Sequence, residues 1–306
     1  MSFTPADAEN LRQALATVVA VPVMPLHADG NPDWDTYAAL TGRLIGGGIT
    51  VITPNGNTGE FYALSPAEAR QAAETAARAS AGRAELLAGV GHDIASAVEA
   101  AGHARDQGIR MIMIHQPVHP YVSREGWVDY HAAIAGAVPD LGVVLYVRNE
   151  RITGADIAAL ADRAPNVIAV KYGLRDASAF AAVAADAGID RFTWLAGAAE
   201  LAAPSYWASG AHGFTSGLAN VDPALPLALL AALRGNDYGA AMKIWDKVRR
   251  FEELREAGAN ADNVSVVKEA LAQLGLCRPD VRPPSRLLPP VIKQEIKQIL
   301  TGWGLA

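Results

Sequence analysis

Residues 143–173 read VVLYVRNERITGADIAALADRAPNVIAVKYG. This stretch holds two β-branched, almost continuously apolar segments, Val143–Val147 and Val167–Lys171, separated by a helix-like segment, Gly154–Ala161. Strands that are apolar along their whole length are typical of parallel sheets buried on both faces, and such strands need a crossover helix between them. The stretch therefore predicts one parallel βαβ unit.

The same alternation extends in both directions along the chain. Eight candidate strands, each followed by a helix-like stretch, predict an α/β fold of the (β/α)8 TIM barrel class, with an open doubly wound sheet as the alternative. The remaining predicted strands are Thr17–Val23, Thr50–Thr53, Glu85–Val90, Arg110–Ile114, Phe192–Leu195 and Gly213–Thr215. The remaining predicted helices are Trp34–Leu44, Pro66–Ala79, Ile94–Arg105, Glu125–Ala137, Ala177–Ala185, Ala199–Ala208 and Ala224–Leu233.

Three further helices are predicted after the eighth unit, at Asp237–Glu256, Asn263–Leu274 and Pro289–Leu300. The segment Arg278–Pro290 is rich in proline, which indicates a rigid connection rather than a flexible linker. We therefore expect a barrel over residues 1–233 and a C-terminal helical extension over residues 234–306 that packs on it.

Composition excludes several classes of protein. The 306 residues are 51% hydrophobic and 19% charged, as in globular proteins, and the net charge of -6 without a long basic cluster argues against nucleic acid as a partner. A single cysteine, Cys277, excludes an intramolecular disulfide framework. The N-terminus lacks a secretory pattern, and no stretch reaches the roughly 18 uncharged residues of a membrane span. We expect a cytoplasmic protein with no membrane partner.

Two predicted strand ends carry residues suited to catalysis. Lys171 ends an apolar strand, where desolvation lowers the pKa of its amine and makes a nucleophile that can form a Schiff base with a carbonyl. The alternative is a lysine that reaches solvent or pairs with Glu60. Tyr146 ends the neighbouring strand, and its phenol can transfer protons beside Lys171. Taken alone, a tyrosine in VVLYV is more often a core aromatic, but the pairing with Lys171 favours catalysis.

The turn after the second strand, Gly56-Asn57-Thr58-Gly59, is rich in hydrogen-bond donors. Backbone amides in such a turn, with two polar side chains, suit the binding of a carboxylate. An ordinary turn before a helix capped by Ser65 explains Ser65-Pro66 but leaves GNTGE unexplained.

Several of these motifs together resemble a known family. GNTGE at residues 56–60, Leu145-Tyr146, Lys171 within AVK, and GFTSGLAN at residues 213–220 are similar to the dihydrodipicolinate synthase and N-acetylneuraminate lyase family of class I aldolases. The resemblance covers nearly the whole chain. It implies a (β/α)8 barrel with a C-terminal helical segment, assembled as a homo-oligomer, either a dimer or a tetramer of tight dimers.

The resemblance also implies roles for individual residues. Lys171 would form the Schiff base with a 2-oxo acid such as pyruvate, and Tyr146 would transfer the proton. Because the protonated imine is itself an electron sink, such an enzyme needs neither a metal nor a bound organic cofactor. Asn57 and Thr58 would hold the carboxylate of the oxo acid. The residues expected to bind substrate are Asn57, Thr58, Gly59, Arg148, Arg151 and Ser216.

Substrate choice is where the chain departs from the synthase. Asn57 stands in place of the first threonine of the synthase turn. Arg151 lies where the synthase has its carboxylate-binding arginine, whereas Arg148-Asn149 resembles the strand-five motif of keto-deoxy-sugar-acid dehydratases. Either guanidinium can bind a distal carboxylate with two hydrogen bonds. Gly59-Glu60-Phe61 is also more similar to 5-dehydro-4-deoxyglucarate dehydratase than to the synthase.

The loop after strand four differs as well, because His119 stands near the tyrosine that the synthase uses as a proton relay. His119 is a possible replacement, since imidazole titrates near neutral pH; a loop histidine without a role is the alternative. A metal-dependent enzyme using His92, His115 and His119 is disfavoured, because strand one lacks a His-x-His pair and no strand ends in Asp or Glu.

The motifs therefore favour a Schiff-base-forming lyase that cleaves, condenses or dehydrates a keto-deoxy sugar acid, similar to 5-dehydro-4-deoxyglucarate dehydratase or 2-keto-3-deoxygluconate aldolase. The first alternative is 4-hydroxy-tetrahydrodipicolinate synthase, which condenses pyruvate with aspartate semialdehyde. An alternative of another class is a non-catalytic barrel that binds a 2-oxo acid, since a fold alone does not establish a function.

Overall fold

Eight strands close a barrel in chain order within the computed structural model, which describes residues 3–306. This confirms the predicted (β/α)8 barrel, and the open-sheet alternative is wrong. The strands are β1 (Val18–Ala20), β2 (Val51–Ile52), β3 (Glu85–Val90), β4 (Met111–Ile114), β5 (Gly142–Val147), β6 (Val167–Tyr172), β7 (Thr193–Ala196) and β8 (Gly213–Ser216).

Helix α1 (Pro5–Leu15) precedes β1, and each strand is followed by one of the helices α2–α9. These are α2 (Trp34–Gly46), α3 (Pro66–Ser80), α4 (Ile94–Asp106), α5 (Arg124–Ala137), α6 (Gly154–Arg163), α7 (Ala177–Ala187), α8 (Ala199–Ala208) and α9 (Ala224–Arg234). Three more follow, α10 (Tyr238–Asn260), α11 (Asn263–Gln273) and α12 (Pro290–Trp303). No helix within residues 3–306 is both long and apolar enough to cross a membrane.

Local chemistry explains why the helices begin where the sequence predicts. Ser65 accepts a hydrogen bond from the backbone of Glu68, Glu68 bonds back to Ser65, and Pro66 occupies the first helical position of α3. Asp33 and Asp93 cap α2 and α4 in the same way through their carboxylates. Each cap satisfies backbone N–H groups that the first helical turn leaves without partners.

β1 is shorter than the predicted strand Thr17–Val23. Pro22 has no N–H to give to a strand ladder, and the N–H of Val23 donates to the side-chain oxygen of Asn220 at 3.1 Å. The side-chain amide of Asn220 also donates to the carbonyl of Val21 at 2.8 Å. The N–H of Val21 still donates to the carbonyl of Ser216 at 3.0 Å. Beyond that bond, the side chain of Asn220 takes the place of the strand pairing that the apolar pattern predicted.

Packing divides the chain into two compact units. The first unit contains α1 through Val19 and Glu85–Thr215. In it α1 packs on β6 and β7, and the hydroxyl of Thr193 donates to the carbonyl of Arg12 at 3.0 Å. Its aromatic core contains Tyr172, Phe180, Phe192, Trp194 and Tyr206.

The second unit contains Ala20–Ala84 and Ser216–Ala306. Within this unit, one hydrophobic core joins α10–α12 to residues of Ala20–Ala84. Its buried members include Val23, Leu40, Leu218, Val248, Phe251, Val266, Val267, Leu271, Ile296 and Leu300. The C-terminal helices thus share a core with Ala20–Ala84, and the boundary between residues 233 and 234 stays a prediction.

Candidate active site

Lys171 lies on β6, all of whose residues are buried. In the barrel register it is opposite Tyr146 on β5 and Leu195 on β7. Lys171 is only 4% exposed. Burial of an ammonium group in such surroundings disfavours its charged form. The structure therefore buries this lysine between β5 and β7, beside Tyr146.

The ring of Tyr146 contacts the amine of Lys171. The Nζ atom lies 4.1 Å from the ring centroid, within the range of a cation–π interaction, and Tyr146 is 4% exposed. The side-chain amide of Gln116 donates to the Tyr146 carbonyl. The face of the ring favours the ammonium form while burial opposes it, so two opposite effects act on the same proton.

His115 is a further residue of this cluster, and the sequence indicated it only as a possible metal ligand. It is fully buried, and its ring meets that of Tyr146 edge-on, with centroids 5.9 Å apart and planes at 80°. Its backbone N–H donates to the carbonyl of Val90 at 2.8 Å. Because Ile114 pairs with Leu145 in the register, the next residues, His115 and Tyr146, stand side by side. The strand-end pattern MIMIH was the signal that pointed to it.

Two glycines allow the backbone to approach this cluster. A Cβ atom on Gly173 would lie 2.8 Å from Cε2 of Tyr146 and 2.9 Å from Cγ of Arg148. A Cβ atom on Gly197 would lie 2.8 Å from the carbonyl oxygen of Tyr172. Since real side chains do not tolerate such distances, the position of the Tyr146 ring depends on glycine at residue 173.

The two candidate carboxylate-binding arginines differ in what they bind. The guanidinium of Arg151 donates to the carbonyl of Val122 at 2.5 Å, and its backbone N–H donates to the side chain of Asn149 at 3.0 Å. The side chain of Arg148 is exposed and forms no hydrogen bond or ion pair with any residue between 3 and 306. Arg151 is therefore held by its own surroundings, whereas the guanidinium of Arg148 remains available to a ligand.

His119 lies on an exposed loop. Its Nδ1 atom accepts a hydrogen bond from the N–H of Tyr121 at 3.1 Å, and the ring packs against that of Tyr121 at 5.9 Å. Tyr121 itself is 85% exposed. Both of these contacts lie within the loop, so the relay role of His119 stays a prediction.

The turn that carries Asn57 and Thr58 has an unusual backbone. Asn57–Gly59 form one turn of 3-10 helix, and Thr58 is 6% exposed. A Cβ atom on Gly56 would lie 2.7 Å from Val21, and one on Gly59 would lie 2.9 Å from the carbonyl oxygen of Pro22. Both glycines are therefore required by the close packing of this turn on the chain after β1.

Glu60 ends the turn in the left-handed conformation, with φ 60° and ψ 35°. For a residue with a side chain this conformation costs about 1–2 kcal/mol, so other contacts must hold it. Its carboxylate binds the amine of Lys268 and accepts the N–H of Arg282 at 3.0 Å. Lys268 is 208 residues away along the chain, and no sequence pattern indicated it.

Ser216, the last residue of β8, forms a hydrogen bond with the turn that follows the strand. The hydroxyl of Ser216 accepts the N–H of Ala219 at 2.9 Å, and Ser216 is fully buried. A Cβ atom on Gly217 would lie 2.8 Å from the guanidinium carbon of Arg255. Arg255 in turn forms a buried ion pair with Glu252 at 2.7 Å. Ser216 thus stabilises the turn, and its role in substrate binding stays a prediction.

The alternative of a metal-dependent enzyme finds no ligand set in the described chain. Between residues 3 and 306, no three His, Cys, Asp or Glu side chains converge in a way that could hold a metal ion. His92, His115 and His119 therefore do not form such a group. His115 contacts the ring of Tyr146, a predicted catalytic residue.

Comparison with known proteins places these observations in a family. The model of the dihydrodipicolinate synthetase family matches residues 14–302. The chain is 30% identical over 288 residues to a probable 5-dehydro-4-deoxyglucarate dehydratase of Bradyrhizobium diazoefficiens, covering 92% of this chain and 89% of the relative. It is 28% identical over 283 residues to a 4-hydroxy-tetrahydrodipicolinate synthase of Phenylobacterium zucineum, covering 91% and 94%.

A solved structure is similar along almost the whole length. The crystal structure of dihydrodipicolinate synthase from Oceanobacillus iheyensis has a TM-score of 0.94 and 34% sequence identity, covering 98% of this chain and 100% of that one. The family match extends over nearly every element described above, from the end of α1 to α12. The chain therefore belongs to the dihydrodipicolinate synthetase family.

Proposed function

We propose that this protein is a lyase of the class I aldolase type in which Lys171 forms a Schiff base with a 2-oxo acid. The observation that carries the proposal is the buried amine of Lys171, 4.1 Å from the centroid of the Tyr146 ring. Lysine side chains are seldom buried, because removing their charge from water is unfavourable. Family membership agrees with this assignment.

The chemistry follows from the two side chains. The neutral amine of Lys171 attacks C2 of the oxo acid, the carbonyl oxygen takes up a proton, and loss of water leaves a protonated imine. The ring of Tyr146 contacts this amine, and we assign these proton transfers to its phenol. The imine then accepts the electron pair released when a proton leaves C3 or when the bond between C3 and C4 breaks.

The substrate that we favour is a keto-deoxy sugar acid with a second carboxylate. In such a substrate the electron pair at C3 expels hydroxide from C4, which is a dehydration. The side chain of Arg148 forms no hydrogen bond or ion pair with residues 3–306, and its guanidinium can bind the distal carboxylate with two hydrogen bonds. Arg151 already donates to Val122, which makes it the weaker candidate. The relative named 5-dehydro-4-deoxyglucarate dehydratase supports this choice.

The carboxylate next to the oxo group would be held at the turn Asn57–Gly59. The N–H groups of Gly59 and Glu60 already donate to the carbonyls of Gly56 and Asn57, at 2.9 and 3.0 Å. The turn is thus closed by its own bonds, and the polar side chains of Asn57 and Thr58 are the groups we assign to the ligand. No metal or organic cofactor enters this mechanism.

Covalent trapping tests the proposal. Sodium borohydride with pyruvate reduces an imine to a stable amine, so we expect a mass increase on the peptide that contains Lys171. Lys171→Ala should give no adduct. Wild-type protein that gives no adduct with pyruvate or with a keto-deoxy sugar acid would refute the Schiff-base assignment.

A substrate panel separates the remaining candidates. It contains 5-dehydro-4-deoxyglucarate, 2-keto-3-deoxygluconate, N-acetylneuraminate, and pyruvate with aspartate semialdehyde. The highest kcat/KM on the first compound supports the dehydratase, whereas the highest value on the last pair supports the synthase. Trapping without turnover of any compound would support a barrel that only binds 2-oxo acids.

We also propose that the protein acts in the cytoplasm as a homo-oligomer. Val118 and Tyr121, on the loop after β4, are 57% and 85% exposed. Apolar groups so exposed on one loop favour contact with another protein surface, and a second copy of the chain agrees with the family resemblance. Sedimentation velocity of the wild type distinguishes a monomer from a dimer or tetramer.

A further inference from the structure

We propose that Lys268 is a positioning residue for substrate binding, acting through Glu60 on the turn Asn57–Gly59. The inference rests on the proposed function, because it assigns that turn to the carboxylate of the oxo acid. Nothing in the catalytic chemistry uses Lys268, yet its side chain is 0% exposed and carries a charge. A buried cation outside the catalytic cluster calls for a physical explanation.

The amine of Lys268 joins Glu60, at the end of the turn, to the backbone of Asp280. Its Nζ atom binds Oε2 of Glu60 and donates to the carbonyl of Asp280 at 2.8 Å. The other carboxylate oxygen of Glu60 accepts the N–H of Arg282 at 3.0 Å. Both oxygens of Glu60 are therefore bound by groups of the C-terminal segment.

Glu60 in turn controls the backbone of the residues before it. Its N–H donates to the carbonyl of Asn57 at 3.0 Å, and its left-handed conformation lets the chain pass directly from one 3-10 turn to the next. Gly59 also packs so closely on the carbonyl of Pro22 that a Cβ atom would lie 2.9 Å away. The turn is therefore held by the packing of Gly59 and by the contacts of the Glu60 carboxylate. A substitution at Lys268 removes one of these carboxylate contacts.

The segment that carries Asp280 and Arg282 is itself held in place by hydrogen bonds and an ion pair of Arg282. The guanidinium of Arg282 donates to the carbonyl of Ala63 at 3.0 Å and forms an ion pair with Glu68 at 2.6 Å. Arg282 also donates to the carbonyl of Gly30 at 2.9 Å. The segment that carries Asp280 and Arg282 is fixed, and Glu60 ends the turn Asn57–Gly59 in a strained conformation. We infer that the length of the Glu60–Lys268 bridge sets the position of this turn and therefore of Thr58.

The test measures the pyruvate concentration that gives half-maximal borohydride trapping on Lys171, together with kcat and KM on the best substrate. For Lys268→Met we expect this concentration and KM to rise at least tenfold, with a smaller change in kcat. Glu60→Asp keeps the charge but shortens the bridge by one methylene, and it should shift the same two quantities in the same direction. Lys293→Met, which removes the ion pair that Lys293 forms with Glu269 of α11 at 3.1 Å, is the matched control and should leave both unchanged.

The double variant Glu60→Gln/Lys268→Met separates positioning from stability. It removes both buried charges, so it should melt closer to the wild type than Lys268→Met does, because no unpaired charge is left inside. We expect its pyruvate affinity to remain weak, since the bridge is lost and only the hydrogen bond from the N–H of Arg282 still holds the side chain at residue 60. This double variant also serves if Lys268→Met does not fold.

The possible results are decisive. Normal pyruvate affinity in the double variant and in Glu60→Asp would overturn the positioning role and leave Lys268 purely structural. Failure of the wild type itself to be trapped would instead refute the proposed function. Weak affinity in all three variants, with normal affinity in Lys293→Met, supports the inference.

Discussion

Gly173→Ala is the substitution that tests most directly whether the Tyr146 ring must stay where it is. Gly173 does not have a positive φ, so alanine adds a methyl group without backbone strain. That methyl carbon would lie 2.8 Å from Cε2 and 3.4 Å from the hydroxyl oxygen of Tyr146, and 2.9 Å from Cγ of Arg148. Ordinary carbon contacts are about 3.5–4.0 Å, so the ring must move by about 1 Å.

The expected effects on rate and stability differ in size. A displacement of about 1 Å in a catalytic group can reduce the rate about 100-fold, so we expect kcat to fall by about 10- to 100-fold. Overpacking of a buried site costs typically about 1–3 kcal/mol, which the protein should tolerate. Trapping on Lys171 at saturating pyruvate should still go to completion, but more slowly.

The measurements are single-turnover trapping, steady-state kcat, and urea unfolding of the same samples. Gly136→Ala is the matched control, because Gly136 is an exposed position in α5 where a Cβ atom would meet no other atom within 4 Å, and alanine there should be neutral or stabilising. If Gly173→Ala keeps wild-type kcat, then the ring position does not matter and the role assigned to Tyr146 is wrong.

Single contacts lead to three further predictions. Tyr146→Phe should keep the contact between the ring and the Lys171 amine, but slow trapping and lower kcat severely because the phenolic proton is gone; near-normal kcat would contradict the proton-transfer role. Arg148→Ala should raise KM for a dicarboxylic keto-deoxy sugar acid more than tenfold and leave pyruvate trapping unchanged, whereas Arg151→Ala should mainly destabilise the loop; the reverse pattern would reassign the distal carboxylate to Arg151. Burial lowers the pKa of His131 to about 4 from 6.5. The folded state then binds fewer protons than the unfolded state. His131 therefore contributes about 3 kcal/mol to the free energy of unfolding above pH 6.5, and this contribution is lost as the pH falls toward 4. His131→Gln should flatten the pH dependence of the free energy of unfolding in that range, and an unchanged slope would contradict it.

The physical basis of the His131 prediction is visible in α5. Nδ1 of His131 lies 2.7 Å from the carbonyl oxygen of Trp127, which can only accept, so this nitrogen carries the proton. Nε2 is buried and has no hydrogen-bond partner among residues 3–306. A second proton would therefore be placed in the core without an acceptor.

The elements that the sequence predicted correctly are those with local signals. Helix α3 begins at Pro66 because Ser65 and Glu68 cap each other within four residues, and a pattern of that length can be read directly. The strands β5 and β6 are continuous apolar segments, so their burial follows from composition. The predicted strand at β1 was too long because the side chain of Asn220 binds the carbonyl of Val21 and the N–H of Val23, which a longer strand would pair with a neighbouring strand.

The candidate site divides in the same way. Lys171 and Tyr146 were predicted as site residues because each ends an apolar strand, and the barrel register sets them side by side. His115 was underrated, since its value depends on its contact with the Tyr146 ring, not on its own neighbours in the chain. Sequence alone also left Arg148 and Arg151 equivalent, because the bond from Arg151 to Val122 arises only when two loops meet.

The sequence by itself determined the order of strands and helices and the barrel class, and it indicated Lys171 and Tyr146 as candidates, because periodicity, caps and strand-end positions are properties of a few consecutive residues. The tertiary structure decided which of these residues contact each other. The buried bridge between Glu60 and Lys268 joins residues 208 positions apart. Such a pair forms only when packing brings the two segments together and removes water from both charges, and no local pattern records that distance.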